Sequence, residues 1–244
     1  MNLIADFHIH TYYSDGKESV EAMALACINK GLETMALTDH GTGHLKNGTK
    51  DLDSYYRDID KAREKYEGKI KILHGIEFNL MDMDGTTDIP DNAREKYDII
   101  LCGFHKTAIT KKGALQFYIN RPLAFGSKRM IGKTTMGYVK AMDRYPMDII
   151  VHPGYAASVD MDMLSLAAAK HNVAIEINGH RNFMSKEQMI IARENGAIFT
   201  INSDAHSSIR IGDTKRAEED AENAGIGQEL VVNTPNGPKL NCFK

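Results

Sequence analysis

The feature that most constrains this chain is a repeated one. Short apolar runs each end in a histidine or a carboxylate, and segments of helical spacing separate them. His8-x-His10 closes the first run, and Asp39-His40, Glu77, His105, His152 and Asp204-x-His206 each stand where a β-strand is expected to stop. A single histidine at a strand end is ordinarily a polar residue beside a loop. Its repetition at one strand end after another is what metal chemistry asks for, because imidazole and carboxylate are ligands for zinc, iron and manganese. Core packing gives no reason to place them there.

Period and punctuation give the elements between these points. Strands are expected at Leu3–His8, Thr34–Thr38, Ile70–Phe78, Tyr97–Phe104, Asp148–Val151, Val173–Asn178 and Ala197–Asn202. Helices are expected at Lys17–Lys30, Leu52–Tyr66, Lys133–Arg144, Met161–His171, Lys186–Asn195 and roughly Thr214–Ala224, with a short run Glu229–Asn233 after the last. Gly31 and Gly68 are the stops of the first two helices. Seven β-then-α units imply parallel strands joined by right-handed crossovers. A closed barrel and an open doubly wound sheet both satisfy that alternation, and the ligand distribution separates them. In a barrel every strand C-terminus rings one mouth, whereas an open sheet spreads its strand ends across its width. The expectation is an α/β fold: a distorted (βα)7 TIM-like barrel, one strand short of the usual eight, with the metal site at the C-terminal mouth of the strands.

Composition limits the function. At 244 residues the chain can bury one full core, and 1–244 reads as one domain without a linker. A net charge of −3 does not advertise a nucleic-acid or membrane partner. The N-terminal Met-Asn-Leu-Ile-Ala-Asp is too short and acidic for a signal peptide, and no apolar run reaches spanning length. Cys27, Cys102 and Cys242 form no C-x-x-C and are odd in number, which argues against a disulfide scaffold and a thiolate zinc site. A cytoplasmic location is expected.

Six fragments carry a resemblance. They are Asp6-Phe7-His8-Ile9-His10-Thr11 with Ser14-Asp15-Gly16, Leu37-Thr38-Asp39-His40-Gly41, Gly75-Ile76-Glu77, Gly103-Phe104-His105, Val151-His152-Pro153-Gly154 and Ser203-Asp204-Ala205-His206. In this order they resemble the polymerase-and-histidinol-phosphatase (PHP) superfamily, and within it the small stand-alone phosphatase-like members. The resemblance spans about four fifths of the chain. It implies a trinuclear site holding three divalent metal ions (Zn, Mn or Fe). His8, His10, Glu77 and Asp204 would hold one ion. Glu77 would bridge to a second bound by His105 and His152, and Asp15, His40 and His206 would take the third. Close relatives often carry histidine where Asp15 stands, and others carry aspartate. The hard oxygen ligand leaves manganese or iron open for the third ion.

The expected activity is a metal-dependent phosphoesterase, a hydrolase acting on a small phosphorylated metabolite such as histidinol phosphate, a sugar phosphate or a nucleotide. A metal-bridging hydroxide would attack phosphorus, and the ions would neutralise the phosphoryl oxygens. Asp204, His206 or a metal-bound water could protonate the leaving group. Asp39 is expected to orient its surroundings rather than ligate. Between Lys106 and Lys133 stand seven basic residues (Lys106, Lys111, Lys112, Arg121, Lys128, Arg129, Lys133) and no Asp or Glu. This segment reads either as a cationic lid for an anionic substrate or as a solvated loop. Lys106 and Arg181 are the candidate phosphate contacts. Gly132-Lys133-Thr134 lacks the register and preceding strand of a P-loop. His44 and His180 read as loop residues near the mouth, on the surface or touching substrate, His74 and His171 as structural, and Tyr12-Tyr13 as a wall of the mouth. The alternatives are a phosphodiesterase or exonuclease on nucleic acid or a dinucleotide, weakened by the absence of a global basic surface, and a non-catalytic metal-binding module. Oligomeric state is not written in these motifs.

Overall fold

The computed structural model describes residues 1–105 and 128–243, with only the backbone for Arg129 and Met130. Seven strands run β1 (Ala5–Ile9), β2 (Thr34–Leu37), β3 (Lys71–Asn79), β4 (Ile99–Gly103), β5 (Ile149–Ile150), β6 (Ala174–Asn178) and β7 (Phe199–Asn202). They pair in sequence order, every pair parallel. The edges meet: Ile9 bridges Ala205, the His10 N–H donates to the Ala205 carbonyl at 2.9 Å, and the Ala205 N–H donates to the His8 carbonyl at 3.2 Å. The result is a nearly closed (βα)7 TIM-like barrel, as the strand-end pattern requires.

The helices are α1 (Val20–Asn29), α2 (Leu52–Lys65), α3 (Ala93–Lys96), α4 (Lys128–Arg144), α5 (Met161–His171), α6 (Lys186–Glu194) and α7 (Lys215–Asn223). Local chemistry starts them. Ser19, Asp51 and Asp160 each accept the backbone N–H three residues on, and Ser185 with Gln188 forms a reciprocal capping box. Helix α1 starts at Val20 rather than at Lys17 because the residues before Ser19 are engaged elsewhere. The Lys17 N–H donates to the His206 carbonyl at 2.9 Å, and the Glu18 carbonyl accepts from Tyr12 at 3.0 Å. Helix α4 is longer than its sequence pattern, taking in Lys128, Arg129 and the Gly132-Lys133-Thr134 triplet, so that triplet is helix and no phosphate loop. The run Glu229–Asn233 is no regular strand: Gln228–Leu230 forms a 3-10 turn, and Val231 alone bridges Phe199.

Alternation along each strand sends successive side chains outward to the helices and inward to the barrel axis. Ile76 and Phe78 of β3 pack outward with Ile100, Cys102, Tyr138 and Ile175. Leu73 packs inward with Ala5, Phe7, Ala36, Ile99, Leu101, Ile149, Val151 and Ala174. The inward series changes character toward the strand C-termini. On β3 it reads Leu73, Gly75, Glu77, Asn79; on β4, Ile99, Leu101, Gly103 and then His105; on β6, Ala174, Glu176, Asn178. An apolar plug therefore fills the lower barrel, and a buried polar layer lies on top of it. Among the described residues no helix is long and apolar enough to cross a membrane.

Candidate metal centre

The mouth holds a cavity of about 530 Å³ lined by His10, Asp15, His40, Glu77, His105, His152, Asp204 and His206, with Lys46, Tyr155, Arg181 and Phe183 among its other walls. Eight of the nine residues marked as ligands by sequence line it, and the ninth, His8, is fully buried beside Glu77. A larger hollow of about 990 Å³ lies against the opposite ends of β2 and β3, around Leu32, Glu33, Lys71 and Phe243, and contains no histidine. Volume alone does not locate the chemistry.

Glu77 organises the floor. Its Oε1 lies 2.9 Å from His152 Nε2 and 3.1 Å from His105 Nε2. Its Oε2 lies 2.8 Å from His40 Nδ1 and 3.6 Å from both His8 Nε2 and His10 Nε2. Asp204 Oδ1 approaches the same two nitrogens at 3.6 and 3.5 Å. Asp15 faces His206 Nε2 at 3.2 Å and His40 Nε2 at 3.5 Å. Three groupings bring ligand-type atoms within 4.8 Å of one another around these carboxylates: His8 with His10 and Asp204, His8 with Glu77 and His152, and His10 with Asp15, His40 and His206.

Whether these residues fit a cation can be asked from their hydrogen bonds. Three histidines share one arrangement, in which Nδ1–H donates outward and Nε2 faces a carboxylate. His8 Nδ1 donates to Glu176 Oε1 at 2.8 Å, His105 Nδ1 to Asn79 Oδ1 at 2.8 Å, and His206 Nδ1 to the Asp204 carbonyl at 3.0 Å. When such a ring is neutral it turns a lone pair toward a carboxylate oxygen that also carries lone pairs, and only a proton or a metal ion between the two makes the contact favourable. Buried His8 Nε2, His10 Nε2 and His152 Nδ1 have no hydrogen-bond partner, and His40 Nδ1 and Glu77 Oε2, though 2.8 Å apart, are not aligned for a bond to each other. Buried polar atoms rarely tolerate such a condition. Separations of 3.5 to 3.6 Å are too long for hydrogen bonds. They suit donors that share an ion at about 2.1 Å, whose tetrahedral edge is about 3.4 Å. The residues fit metal.

The charges agree. Burial opposes ionisation of Glu77, yet His105, His40 and His8 hold its carboxyl well below the usual range. Burial likewise opposes ionisation of Asp15, while His206 and His40 hold it low. Burial pushes His10 down to about 3, leaving its ring neutral with a lone pair to give.

Backbone geometry aims the ligands. His152 and Asp204 adopt φ of +33° and +51°, in the left-handed region that non-glycine residues avoid. Each sits just past a strand, where the strained turn swings the side chain over the barrel axis. Gly103 permits the close approach: a Cβ there would lie 2.7 Å from His152 Cε1 and 3.1 Å from Glu77 Oε1. Asp39 is engaged by the neighbouring loop. It accepts from Thr11 N and Oγ1 at 2.9 and 2.8 Å and from Ser14 N and Oγ at 3.1 and 2.6 Å, fixing the loop that presents Asp15.

Several expectations need revising. His44 is not a surface residue: it is 5% exposed and stacks on His40 with ring centroids 4.4 Å apart. Its Nδ1 accepts the Asn47 N–H at 3.0 Å, a loop closure that sequence alone could not show. Tyr12 and Tyr13 do not wall the cavity but donate to Asp58 on α2. His180 is exposed at the rim as expected and accepts from Arg210 at 3.0 Å. Arg181 reaches the cavity wall, its guanidinium 5.1 Å above the Phe183 ring. Lys106 and most of the basic segment lie outside the described residues; Lys128 and Lys133 are exposed on α4. Sequence reading missed Glu176 and Asn79. Their signal was a polar residue of inward parity inside an otherwise apolar strand.

With this geometry in view, the relatives are informative. The PHP domain pattern matches residues 6–180. A Thermoanaerobacter sp. (strain X514) protein named "Probable phosphatase" is 30% identical, over 97% of this chain and 93% of its own. The DNA polymerase/3'-5' exonuclease PolX of Bacillus subtilis is 31% identical over 98% of this chain, which corresponds to 40% of that longer protein. The crystal structure of histidinol phosphate phosphatase from Lactococcus lactis, complexed with zinc, L-histidinol and phosphate, superposes with a TM-score of 0.63 at 17% identity. The match covers 93% of this chain and 95% of that one. On the family match and the near full-length relative, the chain belongs to the PHP domain family.

Proposed function

We propose that the protein is a metal-dependent phosphatase that hydrolyses a phosphomonoester of a small metabolite at a trinuclear site. The observation that carries this reading is the convergence of unpartnered histidine and carboxylate atoms around Glu77. In this reading His8, His10, Glu77 and Asp204 hold one ion, Glu77, His105 and His152 a second, and Asp15, His40 and His206 a third. The split of Glu77, with Oε1 toward His105 and His152 and Oε2 toward His8 and His10, supports its role as the shared ligand. Bound zinc, manganese or iron would supply Lewis acidity, acidifying water and neutralising charge on phosphoryl oxygens. Arg181 and Lys46 on the cavity wall offer cationic contacts to the phosphate, and Tyr155 and Phe183 enclose the alcohol portion. Of the two side-chain candidates for proton transfer, His206 is 39% exposed and Asp204 14%. Both are ligands in this reading, with His206 Nδ1 held by the Asp204 carbonyl and Nε2 beside Asp15, so the proton for the leaving group comes from water that they border.

The relatives named for phosphatase activity support the same chemistry. The relationship to an exonuclease-bearing polymerase favours a second reading, phosphodiester hydrolysis on nucleic acid. One experiment separates them: elemental analysis of gently purified protein, with p-nitrophenyl phosphate and single-stranded oligonucleotide turnover before and after chelation. About three transition-metal ions per chain and chelator-sensitive monoesterase activity support the first reading. Metal with oligonucleotide degradation and salt-sensitive strand binding moves the assignment to diesters. Protein that cannot be loaded with metal sinks both.

A further inference from the structure

Glu176 lies on β6 with 1% exposure and touches no substrate-facing surface. It accepts four hydrogen bonds, two on each oxygen. Oε1 takes His8 Nδ1–H at 2.8 Å and Asn202 Nδ2 at 3.0 Å. Oε2 takes the backbone N–H of His152 at 2.8 Å and Asn178 Nδ2 at 2.9 Å. Asn178 Nδ2 also reaches Asp204 Oδ2 at 3.1 Å. One carboxylate is thus tied to the His8 ring, to the strained turn that carries His152, and through Asn178 to Asp204.

We infer that Glu176 is the positioning residue of the metal centre, fixing His8 and the His152 turn in one frame so that their free nitrogens face Glu77. The inference rests on the metal-centre reading above. Its force lies in the donor count. All four partners donate, so position 176 must be an acceptor on both sides, which only a carboxylate of this length provides. Glutamine, though isosteric, has to point an NH2 group either at His8 and Asn202 or at His152 and Asn178. In the first case the His8 ring loses its acceptor; in the second the His152 turn loses the bond that holds its positive φ. A buried carboxylate on a ligand's outer nitrogen also raises the basicity of the nitrogen facing the ion.

The test compares metal affinity, by chelator competition with zinc, in the wild type, Glu176→Gln and Leu101→Ala. Leu101 lies in the apolar plug, so its variant reports destabilisation without loss of a hydrogen bond at the mouth. The expected result is a 10- to 100-fold weakening of zinc binding in Glu176→Gln. Leu101→Ala, at an equal or larger fall in Tm, keeps wild-type affinity. Zinc binding by Glu176→Gln within about twofold of wild type overturns the inference and leaves the phosphatase reading standing; wild-type protein that binds none of zinc, manganese and iron in the same competition removes both. Where Glu176→Gln does not fold, the zinc-loaded wild type decides by proton NMR. A His8 Nδ1–H protected from exchange supports the bond to Glu176, and one that exchanges as freely as the exposed His180 ring overturns it.

Discussion

The two ends of this barrel are made from the same strands and obey opposite rules. At the N-terminal end the inward residues are Ala36, Leu73, Ile99, Ile149 and Ala174, packed on one another and on Leu240. At the C-terminal end inward positions are taken by His40, Glu77, His105 and Glu176, also buried, and five nitrogens and oxygens of the mouth, on His8, His10, His40, His152 and Glu77, are without partners. Burial of apolar surface stabilises at about 25 cal/mol per Å², whereas an unpaired buried polar atom costs about 1–3 kcal/mol. The lower layer therefore holds the barrel together, and the upper layer is tolerated because that frame is already built. Four substitutions, taken from the largest expected effect to the smallest, can break this division or sharpen it.

Replacing Glu77 with Ala removes the carboxylate that faces His8, His10, His40, His105 and His152. Phosphatase activity should fall by about a thousandfold or more, the equivalent of the several kcal/mol that Lewis-acid catalysis supplies. Elemental analysis should show metal content falling with it. If activity persisted, the mouth would not be the site. Leu101→Ala should do the reverse, lowering unfolding free energy by about 2–5 kcal/mol in a urea titration, while metal per folded molecule stays constant. Metal loss in step with stability would erase the distinction between plug and mouth.

Gly103→Ala probes the border between the layers, since its methyl group presses on His152 and Glu77 on one side and on Val151 of the plug on the other. A displacement of a few tenths of an ångström to one ångström should lower kcat by about a hundredfold, a larger proportional loss than that in Tm. Equal losses of stability and activity would mean that the border residue belongs to the plug. Arg181→Ala, at the rim, should raise KM for phosphomonoesters about tenfold and leave kcat within about threefold. An unchanged KM would take the phosphate contact away from this side of the cavity.

The sequence revealed the barrel because its signal is periodic: seven short apolar runs with a polar terminus recur often enough to impose one architecture. It revealed His8, His10, His40, Glu77, His105, His152, Asp204 and His206 as neighbours for the same reason, each standing at or just beyond the end of its strand. Residues that serve the mouth from outside this rule were illegible. Asn79 and Glu176 read as polar interruptions of buried strands, and only the three-dimensional pairing of Nδ1 atoms shows why they are there. His44 was assigned to the surface because loop composition carries no information on which loops fold back over a cavity. The turns at His152 and Asp204 were hidden for another reason: a positive φ in a non-glycine residue has no signature in composition.

The seam that closes the barrel has a consequence for the order in which the molecule is made. Ile9 meets Ala205 there, and the residues flanking that bridge are His8 and His10 on one side and Asp204 and His206 on the other. The most ligand-rich segments of the chain are therefore also among the most distant in sequence, and they become neighbours only when the seventh strand docks on the first. Contacts of such long range are slow to form. No half-built barrel emerging from the ribosome contains the complete mouth, so an ion captured early can be held only by fragments of it. Completion of the fold and completion of the site are one event.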